Sequence, residues 1–389
     1  MKIVLASKKE CTGCSACMSI CPHNAIRMTS DPEGFLVPVI DSACCTQCGL
    51  CVKTCPVINS VNSPSVPVSV CAAMHIHDEV RLKSSSGGVF SAIAESILAE
   101  GGVVFGAGFD AQFSVRHISV EYVDQLDALQ GSKYVQSDLA QAFREVRGFL
   151  KAGRCVLFTG TPCQIAGLKR FLGFDISLLT CIDLICYGVP SPLTWRRYLD
   201  NLSALPSWVH FRDKRNGWYK SCLTIDFAQA GKSFSEPVCA NLYTRAYFSD
   251  YGLRRSCYNC KFKQGKAQSD LTIGDFWGVE HIAPELDDNK GISIVVAHTN
   301  DGRNVLEHSA LKLFSIGQPQ ATHYNPMYVS SVHAPIFLWR WWFFRHVRKG
   351  EFASIFRILK ALQRWKRLYH RGKGKLKLIL RNRTGGLQS

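Results

Sequence analysis

The chain contains no run of ~18 apolar residues, so no segment of it reads as a spanning helix. Its opening, Met1-Lys-Ile-Val-Leu-Ala-Ser-Lys8, holds an apolar run of only four residues, too short for the core of a secretory signal. The expectation is a cytoplasmic chain in a reducing compartment, where clustered cysteines serve as metal ligands rather than disulfides. No Ser–His–Asp set stands at readable spacing, so no separate acid–base machinery is expected. Acids are nearly missing from one end. Residues 336–389 hold fifteen of the 46 Lys and Arg but one of the 30 acids, Glu351. That segment carries +14 and everything before it +2. The total of +16 therefore describes a nearly neutral body with a basic tail.

What the chain has in quantity is cysteine, 18 in 389 residues, half of them in the first sixty. Cys11-x-x-Cys14-x-x-Cys17-x-x-x-Cys21-Pro22 is followed by Cys45-x-x-Cys48-x-x-Cys51-x-x-x-Cys55-Pro56. Each is the bacterial ferredoxin run, in which the fourth cysteine ligates the other cluster. One cluster would take Cys11, Cys14, Cys17 and Cys55; the other would take Cys45, Cys48, Cys51 and Cys21. Cys44 lies out of register. A zinc site needs four ligands, usually as two CxxC pairs, and eight cysteines in two copies of the longer pattern point to two 4Fe–4S clusters instead. Such a domain is a wire, and the rest of the chain should hold what the wire serves.

Composition divides the chain into a two-cluster domain over 1–60, a Ser/Pro/Asn-rich linker over 61–67, an α/β segment over 68–335 and the basic tail over 336–389. Continuous apolar runs at 102–109, 155–158, 178–185 and 292–297 suit buried strands, and helical patterns fall at 89–99 and 165–171. Ser84-Ser-Ser-Gly-Gly88 opens the first of these helices, where backbone N–H groups could meet a phosphate; an ordinary serine cap reads equally well. Gly131-Ser-Lys-Tyr-Val-Gln-Ser137 puts a cation, an aromatic ring and polar groups in one loop. Cys155-Val-Leu-Phe-Thr-Gly-Thr-Pro-Cys163-Gln164 reads as strand, tight turn and helix, placing Cys163 at the carboxyl edge of a sheet near a helix start, where a thiolate is stabilised. Cys155, within the strand, reads as a small buried residue. Cys257-Tyr-Asn-Cys260 supplies two metal or redox ligands.

Together, SSGGVF, GSKYVQS, TGTPCQIAGL, CIDLICYGVPSP and SDLTIGDFWG resemble, in order, the beta subunit of coenzyme F420 hydrogenase/dehydrogenase, over roughly residues 1–335. The resemblance implies an α+β ferredoxin-like two-cluster domain followed by an α/β flavin-binding domain, with the basic helical tail outside the family pattern. It implies FAD, with Ser85, Ser86, Gly87 and Gly88 near its diphosphate. Ser132, Lys133, Tyr134, Gln136, Gly160, Thr161, Pro162 and Gln164 would lie around the rest. Lys133 and Tyr134 would act on the ring, and Asp275 would order a loop or contact the flavin, a helix cap being an equal alternative. It implies that Cys163, Cys186, Cys257 and Cys260 ligate a third 4Fe–4S cluster, with Cys181 as a competing ligand.

Clusters pass single electrons and many organic acceptors take two, and a flavin handles both. The expected function is an iron–sulfur flavoprotein oxidoreductase working with a ferredoxin, a deazaflavin or a partner oxidoreductase. The alternative is a non-catalytic electron-transfer subunit, one form of which is linked to polysaccharide biosynthesis. In the tail, Phe352, Ile355, Phe356, Leu359 and Leu362 recur at helical spacing, with Arg357, Lys360, Arg364, Arg367 and Arg371 on another face. Preceded by the aromatic run at 337–344, this reads as a basic amphipathic helix at the inner face of an anionic membrane or as a helix docked on the core. No specific nucleic acid is expected.

Overall fold

The computed structural model describes residues 3–357 apart from 62, 63, 65, 174, 175, 229–231, 267, 353 and 356. Its first unit consists of α1 (Ala16–Ile20), the hairpin β1 (Ile26–Ser30) and β2 (Leu36–Ile40), and α2 (Leu50–Thr54). The two cysteine runs fold alike. Each helix follows a left-handed residue, Ser15 or Gly49, and ends on an extended fourth cysteine, Cys21 or Cys55. The next residue is proline, which disfavours helical geometry in the residue before it and turns each fourth cysteine away from its own run.

The chain continues through β3 (Ser69–His75), α3 (Asp78–Lys83), α4 (Val89–Ala99), β4 (Val103–Phe109), β5 (Val115–Val120), α5 (Ala142–Lys151), β6 (Val156–Gly160), α6 (Pro162–Leu172), β7 (Leu179–Leu184) and α7 (Pro192–Leu199). A small antiparallel sheet of β8 (Pro206–Asp213), β9 (Cys222–Phe227) and β10 (Ser233–Pro237) is inserted here, followed by α8 (Leu242–Tyr247). The chain then returns through β11 (Leu271–Asp275), α9 (Val279–Ile282), β12 (Ser293–Ala297), α10 (Asn300–Glu307), β13 (Leu311–Ser315), α11 (Gln318–His323) and α12 (Phe337–Lys349).

The main sheet has eight strands in the order β13-β3-β12-β11-β7-β6-β4-β5. The centre, β11-β7-β6-β4, is parallel, and the strands outside it run antiparallel. The apolar runs expected as strands form β4, β6, β7 and β12, because a strand covered on both faces needs apolar side chains on both. One face packs Ile93, Leu98 and Leu157, and the other packs Phe143, Phe158 and Leu168. Cys155 is half-buried just before β6 rather than inside it.

The two-cluster unit is packed onto this body. Cys14 and Ala16 join the second core face. Gly167 on α6 permits the approach, since a Cβ there would stand 2.9 Å from the Cys14 sulfur. Glu33, at the hairpin turn, accepts from Arg340 Nη2 (2.6 Å) and Nε (3.0 Å) and from Arg255 Nη2 (2.9 Å). Burial pushes its pKa up, but the Arg340 and Arg255 hydrogen bonds outweigh that and hold it below the ordinary carboxylate value.

Part of the aromatic run expected to face a membrane faces the core instead. Phe343, Phe344, Val347, Phe352 and Ile355 are buried with Trp195, Phe211 and Tyr243, and Arg340 is 4% exposed. Ile336, Phe337, Leu338 and Trp341 are exposed. Phe356, Leu359, Leu362, Lys360, Arg364, Arg367 and Arg371 lie outside the described residues. Among the described residues no helix is long and apolar enough to cross a membrane.

Removing one partner from a buried charge pair leaves the other charge uncompensated. Glu33→Gln should therefore cost about 3 kcal/mol in urea denaturation at neutral pH. Because the Glu33 pKa is depressed, the wild type should lose this contribution as pH falls through the lowered value, and the variant should not.

Candidate functional site

Two small cavities in the first unit test the crossed cysteine pattern. One is lined by Cys11, Cys14, Cys17 and Cys55, and the other by Cys21, Cys45, Cys48 and Cys51. Each takes three cysteines from one run and the fourth from the other. The thiols surround these spaces rather than converge on a point, and among the described residues no group of three or more His, Cys, Asp or Glu is placed to hold a single ion. The amide of Ala25 donates to the Cys21 sulfur (3.3 Å), and Arg254 Nη2 lies 3.7 Å from the Cys11 sulfur. Donors of this kind favour a thiolate and tune a cluster's potential. Burial, then the nearby Cys11 and Cys55 thiols, push Cys17 up to about 12. With its thiol raised this far, Cys17 gives up a proton on binding a metal. Cys44 is exposed.

A third thiol set lies where the first unit meets the sheet. Cys163 is the second residue of α6, Cys186 follows β7, Cys257 lies in a short 3-10 turn over Arg255–Asn259, and Cys260 directly follows that turn. They are electrostatic neighbours: burial, then Cys260 and Cys257, push Cys163 up to about 12, and Cys186 is raised by burial despite Lys263. The thiolate expected at Cys163 from its helix start is thus outweighed by burial and like charges. Lys263 donates to the Cys186 carbonyl (2.5 Å), and the amide of Val189 donates to the Cys257 sulfur (3.4 Å). Cys181 stands apart, fully buried within β7 among the Phe143 and Phe158 side chains.

The main cavity, about 440 Å³, lies at the carboxyl ends of the parallel strands, where open α/β sheets bind ligands. Ala107, Thr159, Gly160, Leu184, Gly274 and Asp275 come to it from the four strand ends, Cys163 and Cys186 stand in its wall, and Thr12 and Gly13 reach it from the cluster loop. Thr12 Oγ1 is buried without a partner, an unsatisfied group of the kind a bound cofactor would complete. On one side are Ser85, Ser86 and Gly88 at the start of α4. Ser132 donates through its amide to Ser85 Oγ (2.8 Å), tying together the two loops of the motif. Lys214 underpins the serine loop, donating to the carbonyls of Arg81, Ser86 and Lys290.

The residues expected at a flavin take several roles. Gly87 and Pro162 do not line the cavity among the described residues. Gly87 packs against β3 and β12, where a Cβ would lie 2.3 Å from the Ala73 carbonyl, and Pro162 begins α6. Gln164 lines the cavity but uses its amide oxygen to cap Thr161 (2.8 Å). Gln136 accepts from the Leu36 amide (3.1 Å), bracing the two-cluster unit. Asp275 is no helix cap: it accepts from Arg212 Nη1 (2.9 Å) and Trp218 Nε1 (3.1 Å). Lys133 donates to the carbonyls of Ala128 and Gln130, and burial lowers its pKa to about 7. Tyr134 stacks on Tyr247 with ring centroids 5.0 Å apart.

Sequence reasoning missed His117, Arg212 and Arg254. His117 Nε2 lies 2.9 Å from the Thr159 carbonyl, which can only accept, so Nε2 carries the proton and Nδ1 accepts from Ser137 Oγ (2.7 Å). Burial lowers its pKa to about 4, leaving it neutral near pH 7. None of the three belongs to a local pattern in the sequence.

Residues 10–59 match the 4Fe-4S dicluster domain, and residues 153–316 match the C terminus of the coenzyme F420 hydrogenase/dehydrogenase beta subunit. The chain thus joins a 4Fe-4S dicluster domain to a segment similar to the C terminus of that beta subunit. The dicluster match supports iron–sulfur clusters in the first unit. It is 24% identical over 198 residues to an uncharacterised protein of Methanocaldococcus jannaschii, covering 44% of this chain and 55% of that one. It is 25% identical over 200 residues to the coenzyme F420-dependent sulfite reductase of the same organism, covering 49% of this chain and 30% of that one. The chain thus spans about half the length of the first relative and under a third of the second. Ferredoxin-3 of Chlorobaculum tepidum is 43% identical over 54 residues, 12% of this chain and 79% of the ferredoxin. A chain of the F420-reducing NiFe hydrogenase complex from Methanosarcina barkeri superposes with a TM-score of 0.45 at 15% identity, over 75% of this chain and 93% of that one.

The close approach of α6 to the first cysteine loop is directly testable. Gly167→Val should force Cys14 out of place and lower anaerobically measured iron by about four atoms per chain, one cluster's worth. Unchanged iron would show that the contact does not hold that ligand.

Proposed function

We propose that this protein is an iron–sulfur flavoprotein oxidoreductase. Electrons enter through clusters on Cys45, Cys48, Cys51, Cys21 and on Cys11, Cys14, Cys17, Cys55. They continue through a third cluster on Cys163, Cys186, Cys257 and Cys260 to FAD in the main cavity, and from there to a two-electron organic acceptor. What supports this reading is that the third thiol set adjoins both the first cysteine set and the cavity. Cys163 is among the charges that raise Cys14, and Cys163 and Cys186 are themselves cavity wall.

FAD supplies the exchange between one-electron and two-electron chemistry. The chain's own groups do the rest. The Ser85–Ser132 pair and the start of α4 bind a diphosphate. His117, held neutral with its proton on Nε2, presents no positive charge to the ring. Lys133 offsets negative charge on the reduced ring while protonated, which its lowered pKa confines to pH values below about 7. The Tyr134–Tyr247 stack excludes water from one wall.

Anaerobic analysis should give about 12 iron atoms per chain, and Cys260→Ser should bring this to about eight. One equivalent of FAD should accompany the iron and be reoxidised rapidly by a small acceptor; iron without FAD sinks the flavoenzyme reading. If Lys133 acts as described, the pH dependence of the FAD midpoint potential should change slope near pH 7 in the wild type and show no such break in Lys133→Met.

A further inference from the structure

Beside the main cavity lies a second, more open cleft of about 750 Å³. The two adjoin at Arg212, Phe248 and Trp277, which line both. Trp218, Tyr219 and Lys220 complete much of the outer wall, and among the described residues no carboxylate lines it. At the rim, the Tyr219 hydroxyl lies 3.1 Å from Glu280 and 3.0 Å from Asp287.

Arg212 is the unusual member. It lies one residue before the end of β8, is 6% exposed and holds Asp275 through Nη1, which also lies 3.5 Å from the Tyr134 hydroxyl. Its other donor atoms, Nε and Nη2, are buried with no partner. Native proteins leave few such donors, and those of a cation are the most costly. Nε and Nη2 also form the guanidinium edge whose N–H bonds run side by side, the fork that takes both oxygens of a carboxylate or phosphate. Asp275 cannot serve that edge, because its oxygens are engaged by Nη1 and by Trp218. Next to the fork, Trp218 and Trp277 stack with centroids 4.8 Å apart at 3°, and the Arg212 guanidinium carbon lies 5.4 Å from the Trp277 ring centre.

We propose that this outer cleft is the acceptor site, and that the acceptor is an organic anion whose carboxylate or phosphate is gripped by Arg212 beside the Trp277 ring. The inference rests on the flavoenzyme reading for its redox meaning, but the anion site itself is a matter of binding and can be tested apart from turnover. Asp275 then has a defined part as a positioning residue, fixing the guanidinium so that the fork faces the ligand.

The test is calorimetric titration of the iron- and FAD-loaded protein with two matched pairs, flavin mononucleotide against riboflavin for phosphate and naphthoate against naphthamide for carboxylate. At least one anion should bind about tenfold or more tightly than its neutral partner, and which pair discriminates identifies the acidic group. Arg212→Gln should abolish the difference while leaving the neutral member's affinity unchanged. Arg212→Lys, which keeps the charge but not the fork, should restore only part of it. Equal affinities within both pairs for the wild type would overturn the proposal, as would a variant that weakens charged and neutral members alike. Since wild-type discrimination is read without any variant, a misfolded Arg212→Gln does not leave the question open. FAD content and its reduction by dithionite, measured on the same samples, report on the flavin reading separately. Anion discrimination in a chain that holds no FAD would reject that reading and keep the cleft.

Discussion

Arg254, 3% exposed, is the fastening on which the functional geometry depends. Its Nε donates to the Cys11 carbonyl (2.7 Å), its Nη2 to the Leu36 carbonyl (2.9 Å), and its Nη1 lies 3.4 Å from the Gln136 side-chain oxygen. It comes from the segment just before Cys257, so one side chain joins the first cluster loop, the hairpin, the cavity wall and the third thiol set. Gly13 sits inside this knot at φ +70°, where a Cβ would meet Gln136, Leu36 and Arg254 within 3 Å. Glycine alone combines that backbone conformation with that closeness. With the Glu33 pairs and the packing of Cys14 and Ala16, this fastening holds the first cysteine set against the cavity.

The same logic recurs in the other buried charges. Glu33 is shared by Arg340 and Arg255 and ties the hairpin to α12. Arg81 binds Asp288 and the Gly291 carbonyl beneath the serine loop, and Lys214 gives three hydrogen bonds to backbone carbonyls beside it. A buried charge left without partners is severely penalised, so each of these groups fixes the relative position of segments far apart in the chain. The serine loop, the Lys133 loop and the cluster loop keep their places through such bonds more than through apolar packing.

Much was legible from local pattern. The apolar runs became the central strands because strands covered on both faces need continuous apolar sequence. The helix at 89–99 appears with those same bounds as α4. The aromatic run at 337–344 misled because a helix can bury one face and expose the other: Phe343 and Phe344 complete the core around Trp195, while Phe337 and Trp341 remain outside. Gln136 and Gln164 were read as ligand-facing, and the fold uses their amides for domain contact and helix capping.

The cysteine runs are where sequence and structure meet. Four ligands within eleven residues, repeated once and each closed by proline, are a local constraint, and local constraints survive in one dimension. Spacing alone therefore pointed to the dicluster character of the first unit, and the two cavities there are each lined by three cysteines of one run and the fourth of the other. Whether Cys181 or Cys186 faced the other core cysteines, whether the cluster loop touched the cavity, and that Arg212 would stand between two cavities with half its donors unpaired were decided only in the tertiary structure. Close packing at Gly167 and the pairing of buried charges act between residues that no sequence pattern links.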